Sequence, residues 1–363
     1  MSEIRDYVLN KLGEEYFAIK LEGHVPEMAQ NRPKFVTLYV LRETIAPFID
    51  RSDDPESTIT NVISDNTGSE REVVEIPARK FKSKEKLMGL KICRALGVVD
   101  DNYEYNHVLK KEYLKNPNSA IFGDSVVEGG DAGQAMLPSR IYYSSCYSIR
   151  KKDQITKKLT HNALSEAGTM WDRIEGKNRT SLFNTEYILP NTFFPSFITL
   201  TNPTPETLIH VILSLKERTY GAQTSITGPN INNRIISIFS GQAELPITSY
   251  TITKNFGGKL LSEFEKSERN VDKFRDSINN TIIEHLKEES PQRMLYGKEI
   301  DEFLQKLNNL SSQQMDEIYK RLSKDTSNLI EYANINKTSE RKKKGKQSEL
   351  GTTVENSKQG EEE

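Results

Sequence analysis

The sequence predicts an α+β fold with a ferredoxin-like or RRM-type core, long insertions and a helical C-terminal region. Segments of strand-like and helix-like character follow one another in the order β-α-β-β-α-β, which is the order of such a core. Apolar residues make up only 35% of the 363-residue chain, against roughly 45–50% in an average globular domain. This low apolar content indicates long polar insertions around a small core.

The first strand and helix of the core are predicted from the first hundred residues. Residues 34–44 are rich in β-branched and aromatic side chains and follow Pro33, which is typical of a strand. The polar stretch 50–71 predicts a loop. A helix is predicted over 83–96, with Ser83 as its N-cap, apolar residues at steps of three and four, and a glycine at the stop position.

Four further segments complete the core. Residues 140–149 alternate like a strand, 192–200 form a second apolar run, 205–220 have helical periodicity, and 234–240 resemble a last strand. Residues 259–332 are helical in pattern, with a break at Ser290 and Pro291. The last 28 residues contain almost nothing apolar, so the tail 336–363 is predicted to be disordered.

Composition excludes several classes of protein. The chain has 50 Lys and Arg against 52 Asp and Glu, so it is no bulk polycation. Cys93 and Cys146 cannot form a disulfide framework, which favours a reducing cytoplasm. There is no apolar signal segment and no membrane-length apolar run. Walker, His-Glu-x-x-His, Gly-x-Ser-x-Gly and cysteine-pair motifs are missing, so a self-contained hydrolase or dehydrogenase is not supported.

Two local segments are strongly basic within this neutral chain. Residues 71–94 hold eight basic against three acidic residues, and residues 140–180 hold nine against four. An anionic polymer would select such segments, although ordinary solvated faces remain the alternative. In the first segment the cations crowd at a helix N-terminus, where a phosphate would relieve their repulsion. The predicted RNA-binding residues there are Arg79, Lys80, Lys82, Lys84 and Lys86.

A glycine-containing turn directly after the second predicted helix is the other candidate site. Glycine would let backbone N–H groups approach a phosphate, and side-chain amide and hydroxyl groups would add neutral donors. The alternative is an ordinary helix C-cap. The residues assigned to RNA binding are Tyr220, Gly221, Gln223, Thr224 and Ser225.

These motifs together resemble one family. The strings 32–44, Ile121-Phe-Gly-Asp124, 193–201 and 220–228 resemble the backbone subunit of subtype I-D CRISPR effector complexes (Cascade), the Cas-seven family of the RAMP superfamily. The resemblance covers about residues 30–256. It implies a palm whose copies stack into a helical filament along CRISPR RNA. It also implies target DNA or RNA bound through the guide, and contacts with the large, small and 5′-handle-binding subunits.

The resemblance also implies a thumb that folds over the RNA at regular intervals. It divides the chain into an RRM-like palm over 1–258, with an inserted loop (50–71), a web (100–120) and a thumb (about 151–190), then a helical region over 259–335 and the tail. Met170 and Trp171 form an apolar pair in the basic thumb, and Arg179 lies nearby. A tryptophan there is suited to wedging between bases. The alternative is that Trp171 anchors the thumb to a neighbouring subunit.

The leading hypothesis is an RNA-binding assembly subunit that is not itself a catalyst and needs no cofactor. The alternative is that it also cleaves target RNA through an aspartate in the loop after the first strand, with a divalent ion. A filament protein unconnected with RNA is the third possibility. The stretch 101–118 lacks the cysteines that many relatives carry, so no metal is predicted. The candidate catalytic residues are Asp50, Asp53, Asp54 and Asp65.

Overall fold

A computed structural model of the chain describes residues 3–22, 25–51, 58–65, 68–105, 111–127, 134–162, 168–178 and 182–332. We number strands of three or more residues in chain order: β1 (Phe35–Thr44), β2 (Thr60–Ser64), β3 (Glu70–Ile76), β4 (Asp124–Val127), β5 (Gln134–Leu137), β6 (Ile141–Tyr143), β7 (Thr156–Asn162), β8 (Leu182–Ile188), β9 (Phe193–Thr201), β10 (Ile231–Gly241) and β11 (Arg293–Tyr296).

The longer helices are α1 (Glu3–Leu12), α2 (Ala78–Ala95), α3 (Pro117–Phe122), α4 (Pro205–Ser214), α5 (Ser249–Lys266), α6 (Val271–Glu288), α7 (Lys298–Asn308) and α8 (Ser312–Tyr332). The shorter elements are the strands Leu21–Glu22, Val25–Pro26, Cys146–Tyr147, Trp171–Asp172 and Lys177–Asn178, the one-turn helices Lys152–Ile155 and Thr224–Thr227, and the 3₁₀ turns Glu14–Tyr16, Glu27–Ala29 and Lys111–Leu114. Within the described residues, no helix is long and apolar enough to cross a membrane.

A five-stranded antiparallel sheet in the order β11-β10-β1-β9-β6 forms the centre of the molecule. Its central strand β1 is buried at nearly every position, which explains why apolar side chains fill consecutive positions from Phe35 to Leu41, interrupted only at Thr37, rather than alternating ones. Val36, Leu38 and Val40 face a core built with α1, α2, α4, α7 and α8. Tyr39 and Leu41 face the other core, built with α5 and α6. Helices therefore cover both faces of the sheet.

Helix α2 begins at Ala78, five residues before the predicted start, so the assignment of Ser83 as N-cap was wrong. Ser83 lies inside the helix, and its Oγ donates to the carbonyl of Lys80. Phe81 is buried and packs edge-on against Tyr220, with ring centroids 5.3 Å apart. This tertiary contact fixes the first turn, and no local capping signal reports it.

The polar stretch 50–71 is not a loop throughout, which corrects the sequence-based prediction. Strand β2 pairs with β3 as a hairpin, and β3 pairs on its other side with Cys146–Tyr147. The Asp65 carboxylate accepts from the backbone N–H of Ser69 and fixes the hairpin turn. In β3 the buried residues include Arg71 and the adjacent pair Val73 and Val74, so its sequence shows no regular apolar alternation.

The predicted strand 140–149 splits into β6 and Cys146–Tyr147, which join two different sheets. The second core helix ends at Ser214 rather than near residue 220. The C-terminal helical region also contains β11, which extends the central sheet beside β10. Helices α5 and α6 pack on one face of the sheet and α7 and α8 on the other, so this region completes the core. The predicted disordered tail lies outside the described residues.

Candidate nucleic-acid interface

The loop after β1, residues 45–51, joins the predicted binding segments. The backbone N–H of Ala222 donates to the carbonyl of Ile49 over 2.9 Å, which fixes the turn against this loop. Asp50 Oδ1 lies 2.9 Å from the Nζ of Lys80 at the start of α2. Phe48 forms an isolated β-bridge with Ile188 at the base of the thumb hairpin. Three segments far apart in sequence therefore meet at one loop.

Two of the five predicted RNA-binding cations of α2 donate hydrogen bonds to backbone carbonyls of the protein. Lys82 Nζ donates to Ser139 Oγ over 2.7 Å and to the carbonyl of Ile141 over 3.2 Å. Lys86 Nζ donates to the carbonyl of Gly123 over 2.7 Å. Burial lowers the pKa of both ammonium groups. Lys82 and Lys86 therefore hold neighbouring segments of the protein together, which contradicts their assignment as RNA-contacting residues.

The other three cations face the outside to different extents. Arg79 is exposed and Lys84 is half-buried. Neither has an ion-pair partner within 4 Å in the part of the chain that the structure describes. Lys80 is held by Asp50 and keeps about a fifth of its side-chain surface exposed. These three are the cations of α2 that an external phosphate could reach.

Tyr220 does not face the surface, which contradicts its assignment as an RNA-contacting side chain. It is 1% exposed and packs on Phe81. Its hydroxyl donates to Glu85 Oε1 over 3.0 Å and accepts from Asn233 Nδ2 over 2.8 Å. The aromatic ring anchors the turn to α2.

Gly221 does have the left-handed backbone that favours glycine, with φ +78°. A Cβ there would collide with the carbonyl oxygen of Ile49 and the ring of Phe48. The close approach that this glycine permits is to the protein's own loop, which corrects the proposed approach to RNA. The sequence predicted a close approach at this glycine but not its partner.

The solvent-accessible part of the turn follows Gly221, at residues 223–226. Gln223 and Thr224 are half-buried and Ser225 is exposed. Ile226 is 69% exposed and Ile45, on the neighbouring loop, is 48% exposed. Sequence reasoning missed both isoleucines, because an apolar residue in a turn normally suggests packing.

The two candidate aspartates that the structure describes, Asp50 and Asp65, have partners within the protein. Asp50 is 1% exposed and paired with Lys80. Burial raises its pKa, and Lys80 opposes that shift. Asp65 belongs to the β2–β3 turn, while Asp53 and Asp54 lie outside the described residues. No group of three or more His, Cys, Asp or Glu side chains that could hold a metal ion occurs in the described ranges.

The predicted thumb contains an antiparallel hairpin. Strands β7 and β8 pair from Thr156↔Ile188 to Asn162↔Leu182, and Trp171–Asp172 pairs with Lys177–Asn178. Trp171 is 49% exposed, whereas Met170 is half-buried. Ile174 is 97% exposed and was missed by the sequence analysis. Arg179 lies outside the described residues.

Comparisons with known proteins found one matching family model and several solved structures of similar fold. A sequence profile of the Csc2 CRISPR family matches residues 20–321. A crystal structure of Thermofilum pendens Csc2 aligns with a TM-score of 0.59 at 13% identity, over 91% of this chain and 98% of that chain. Two chains align less well, at 10% identity each. One, from a CRISPR RNA-guided surveillance complex, has a TM-score of 0.34 and covers 57% of this chain and 68% of its own. The other, from a pre-nicking complex, has a TM-score of 0.39 and covers 61% and 82%. No curated protein matches by sequence.

Proposed function

Because this chain belongs to the Csc2 CRISPR family, we propose that it is a CRISPR RNA-binding backbone subunit of a type I-D antiviral interference complex. It polymerises along the guide RNA and presents the guide for pairing with target nucleic acid. Its partners are CRISPR RNA, further copies of itself and the other subunits of the complex, in the cytoplasm. Its binding function requires no resident cofactor.

The observation that carries this proposal is the meeting of three segments at the 45–51 loop. Arg79 and Lys84 are free of internal ion pairs in the described residues and lie next to Lys80. Lys80 is tied to the same loop that holds the glycine turn and the thumb base. Cations beside turn N–H and hydroxyl groups form a surface that suits a phosphodiester backbone and reads no base sequence.

The ferredoxin-like interpretation of the core is supported by the strand order. Leaving aside β11, the neighbours are β10-β1-β9-β6, all antiparallel, and α2 and α4 connect β1 to β6 and β9 to β10. RRM domains stack bases on an open sheet face. Here helices cover both faces, which favours an RNA path along loops and helix ends.

The alternative, cleavage of target RNA at regular intervals, is less well supported. A carboxylate that is 1% exposed and already paired cannot reach a scissile phosphate without opening the loop. Asp65 serves a hairpin turn. Within the described residues nothing favours this second function over assembly alone.

The test is a salt titration of binding to a single-stranded RNA oligonucleotide. Replacing Arg79 and Lys84 together by Ala should weaken binding and flatten the slope of log K against log salt by about 0.7 for each lost phosphate contact. The matched control is Lys266→Ala with Lys273→Ala, which removes the same charge from exposed positions on α5 and α6. No RNA binding by the unmodified chain would refute the function. Equal slopes in the two variants would refute the site.

A further inference from the structure

A fully buried polar cluster lies beneath the proposed interface. Arg42 of β1 and Glu85 of α2 are both inaccessible to solvent and form an ion pair of 2.5 Å. Tyr143 of β6 donates to Glu85 Oε2 over 2.6 Å, and Tyr220 donates to Glu85 Oε1 over 3.0 Å. Asn233 of β10 accepts from Arg42 over 2.8 Å. We call these five residues the Glu85 cluster.

Burying two charges is expensive, and apolar residues of the same volume would often be as stabilising. Three donors compensate the charge of Glu85. Its Oε1 accepts from Arg42 and Tyr220, and its Oε2 accepts from Tyr143. Burial raises the pKa of both tyrosine hydroxyls, so both stay protonated and donate. The guanidinium of Arg42 also lies 3.9 Å from the ring centroid of Phe81. Such a network specifies geometry more than it adds stability.

The cluster connects the two halves of the proposed RNA surface. Glu85 directly follows Lys84 in α2, and Tyr220 directly precedes Gly221 in the turn. Asn233 donates to the Tyr220 hydroxyl and to the carbonyls of Leu215 and Glu217, just before the turn. The segment leading into the turn is therefore held at both its start and its end.

We propose that Glu85, acting through the hydroxyl of Tyr220, is a positioning residue for RNA binding. It holds the 220–228 turn at a fixed distance from the cations of α2, so that one RNA strand contacts both together. Neither Glu85 nor Tyr220 touches the RNA. This inference rests on the proposed function, because it assigns a role only within that binding site.

Two tyrosines bonded to the same carboxylate provide a matched pair of variants. Tyr220→Phe and Tyr143→Phe each remove one hydroxyl that donates to Glu85, but only Tyr220 belongs to the turn. Tyr220→Phe should lower the affinity for a single-stranded RNA oligonucleotide by about tenfold, and should flatten the salt slope as one phosphate contact is lost. Tyr143→Phe leaves the Tyr220–Glu85 hydrogen bond and the Arg42–Glu85 ion pair in place, so it should keep the affinity within about twofold and leave the slope unchanged.

A second measurement needs no RNA. The Ala222 N–H is bonded to Ile49 in the folded turn, so its hydrogen exchange should accelerate in Tyr220→Phe and not in Tyr143→Phe. Equal affinities and slopes in the two variants would overturn the positioning role. The positioning role would also be overturned if Tyr220→Phe failed to fold while Tyr143→Phe folded, because the hydroxyl would then stabilise the core rather than position the turn. If the unmodified chain binds no RNA, the proposed function fails, while the exchange comparison still decides whether Tyr220 holds the turn.

Discussion

Lys82 and Lys86 share a helix with Arg79 and Lys84, yet their surroundings differ. The ammonium groups of the first two donate to backbone carbonyls of neighbouring segments and lose hydration on burial. Arg79 stays exposed. The role of a cation therefore depends on which helical face it occupies and on whether that face packs against the protein or is open to solvent. Only the outward cations can exchange counterions for phosphates.

Gly221 carries the first prediction. Gly221→Ala places a Cβ against Ile49 and Phe48 in addition to the cost of a left-handed backbone, roughly 1–2 kcal/mol. Gly97→Ala is the control, since its φ is +64° but nothing lies within 4 Å of its Cβ position. Urea unfolding should show Gly221→Ala less stable than the control by about 1–3 kcal/mol. Equal losses of stability in the two variants would show that the loop moves aside, so that the turn and the loop need not approach closely.

The thumb hairpin shows how an element can present side chains that the core does not need. It is fixed at its base by the Phe48–Ile188 bridge and by Glu186, which accepts from the backbone N–H and the hydroxyl of Thr58. Its outer turn carries Trp171 and Ile174, both exposed. A rigid base with an exposed apolar end is suited to contacting another molecule.

The second prediction concerns this outer turn. Replacing Met170 and Trp171 together by Ala should leave RNA affinity, which depends on phosphate contacts, nearly unchanged. The regular pattern of reactive bases along a long bound guide should fade, because the stacking partner is lost. Leu159→Ala is the control, since Leu159 is similarly exposed on β7 of the same hairpin. Chemical probing of the bound RNA reads the pattern. A pattern that persists in the double variant would mean that these two residues pack between subunits.

The whole molecule depends on its C-terminal helices. Phe264, Phe274 and Ile278 of α5 and α6 lie in the core beneath Tyr39 and Leu41. Each such side chain is worth about 1.5–3 kcal/mol when buried, and a typical domain is stable by only about 5–15 kcal/mol. The core strands therefore need these helices to stay folded.

The third prediction concerns a chain that lacks these helices. A chain ending at residue 258 should lack a cooperative thermal transition and should aggregate, because one sheet face is left open. A chain ending at residue 332 keeps every element described here and should melt like the full chain. Circular dichroism and calorimetry measure both. A cooperative transition in the shorter chain would show that the sheet is stable without its second helical layer.

Local sequence patterns are enough to predict β1, β9, β10 and the helical C-terminal region, because strong periodicity and β-branched composition report directly on backbone preference. They also indicate the basic start of α2, a close backbone approach at Gly221 and an exposed Trp171. The tertiary structure, by contrast, turns Lys82, Lys86 and Tyr220 inward. It also pairs Asp50 with Lys80 and folds residues 60–76 into a hairpin. Tyr220, Lys82 and Lys86 contact partners 135, 59 and 37 residues away in the chain, and β3 pairs with Cys146–Tyr147; such non-local contacts leave no periodic signal in the residues themselves.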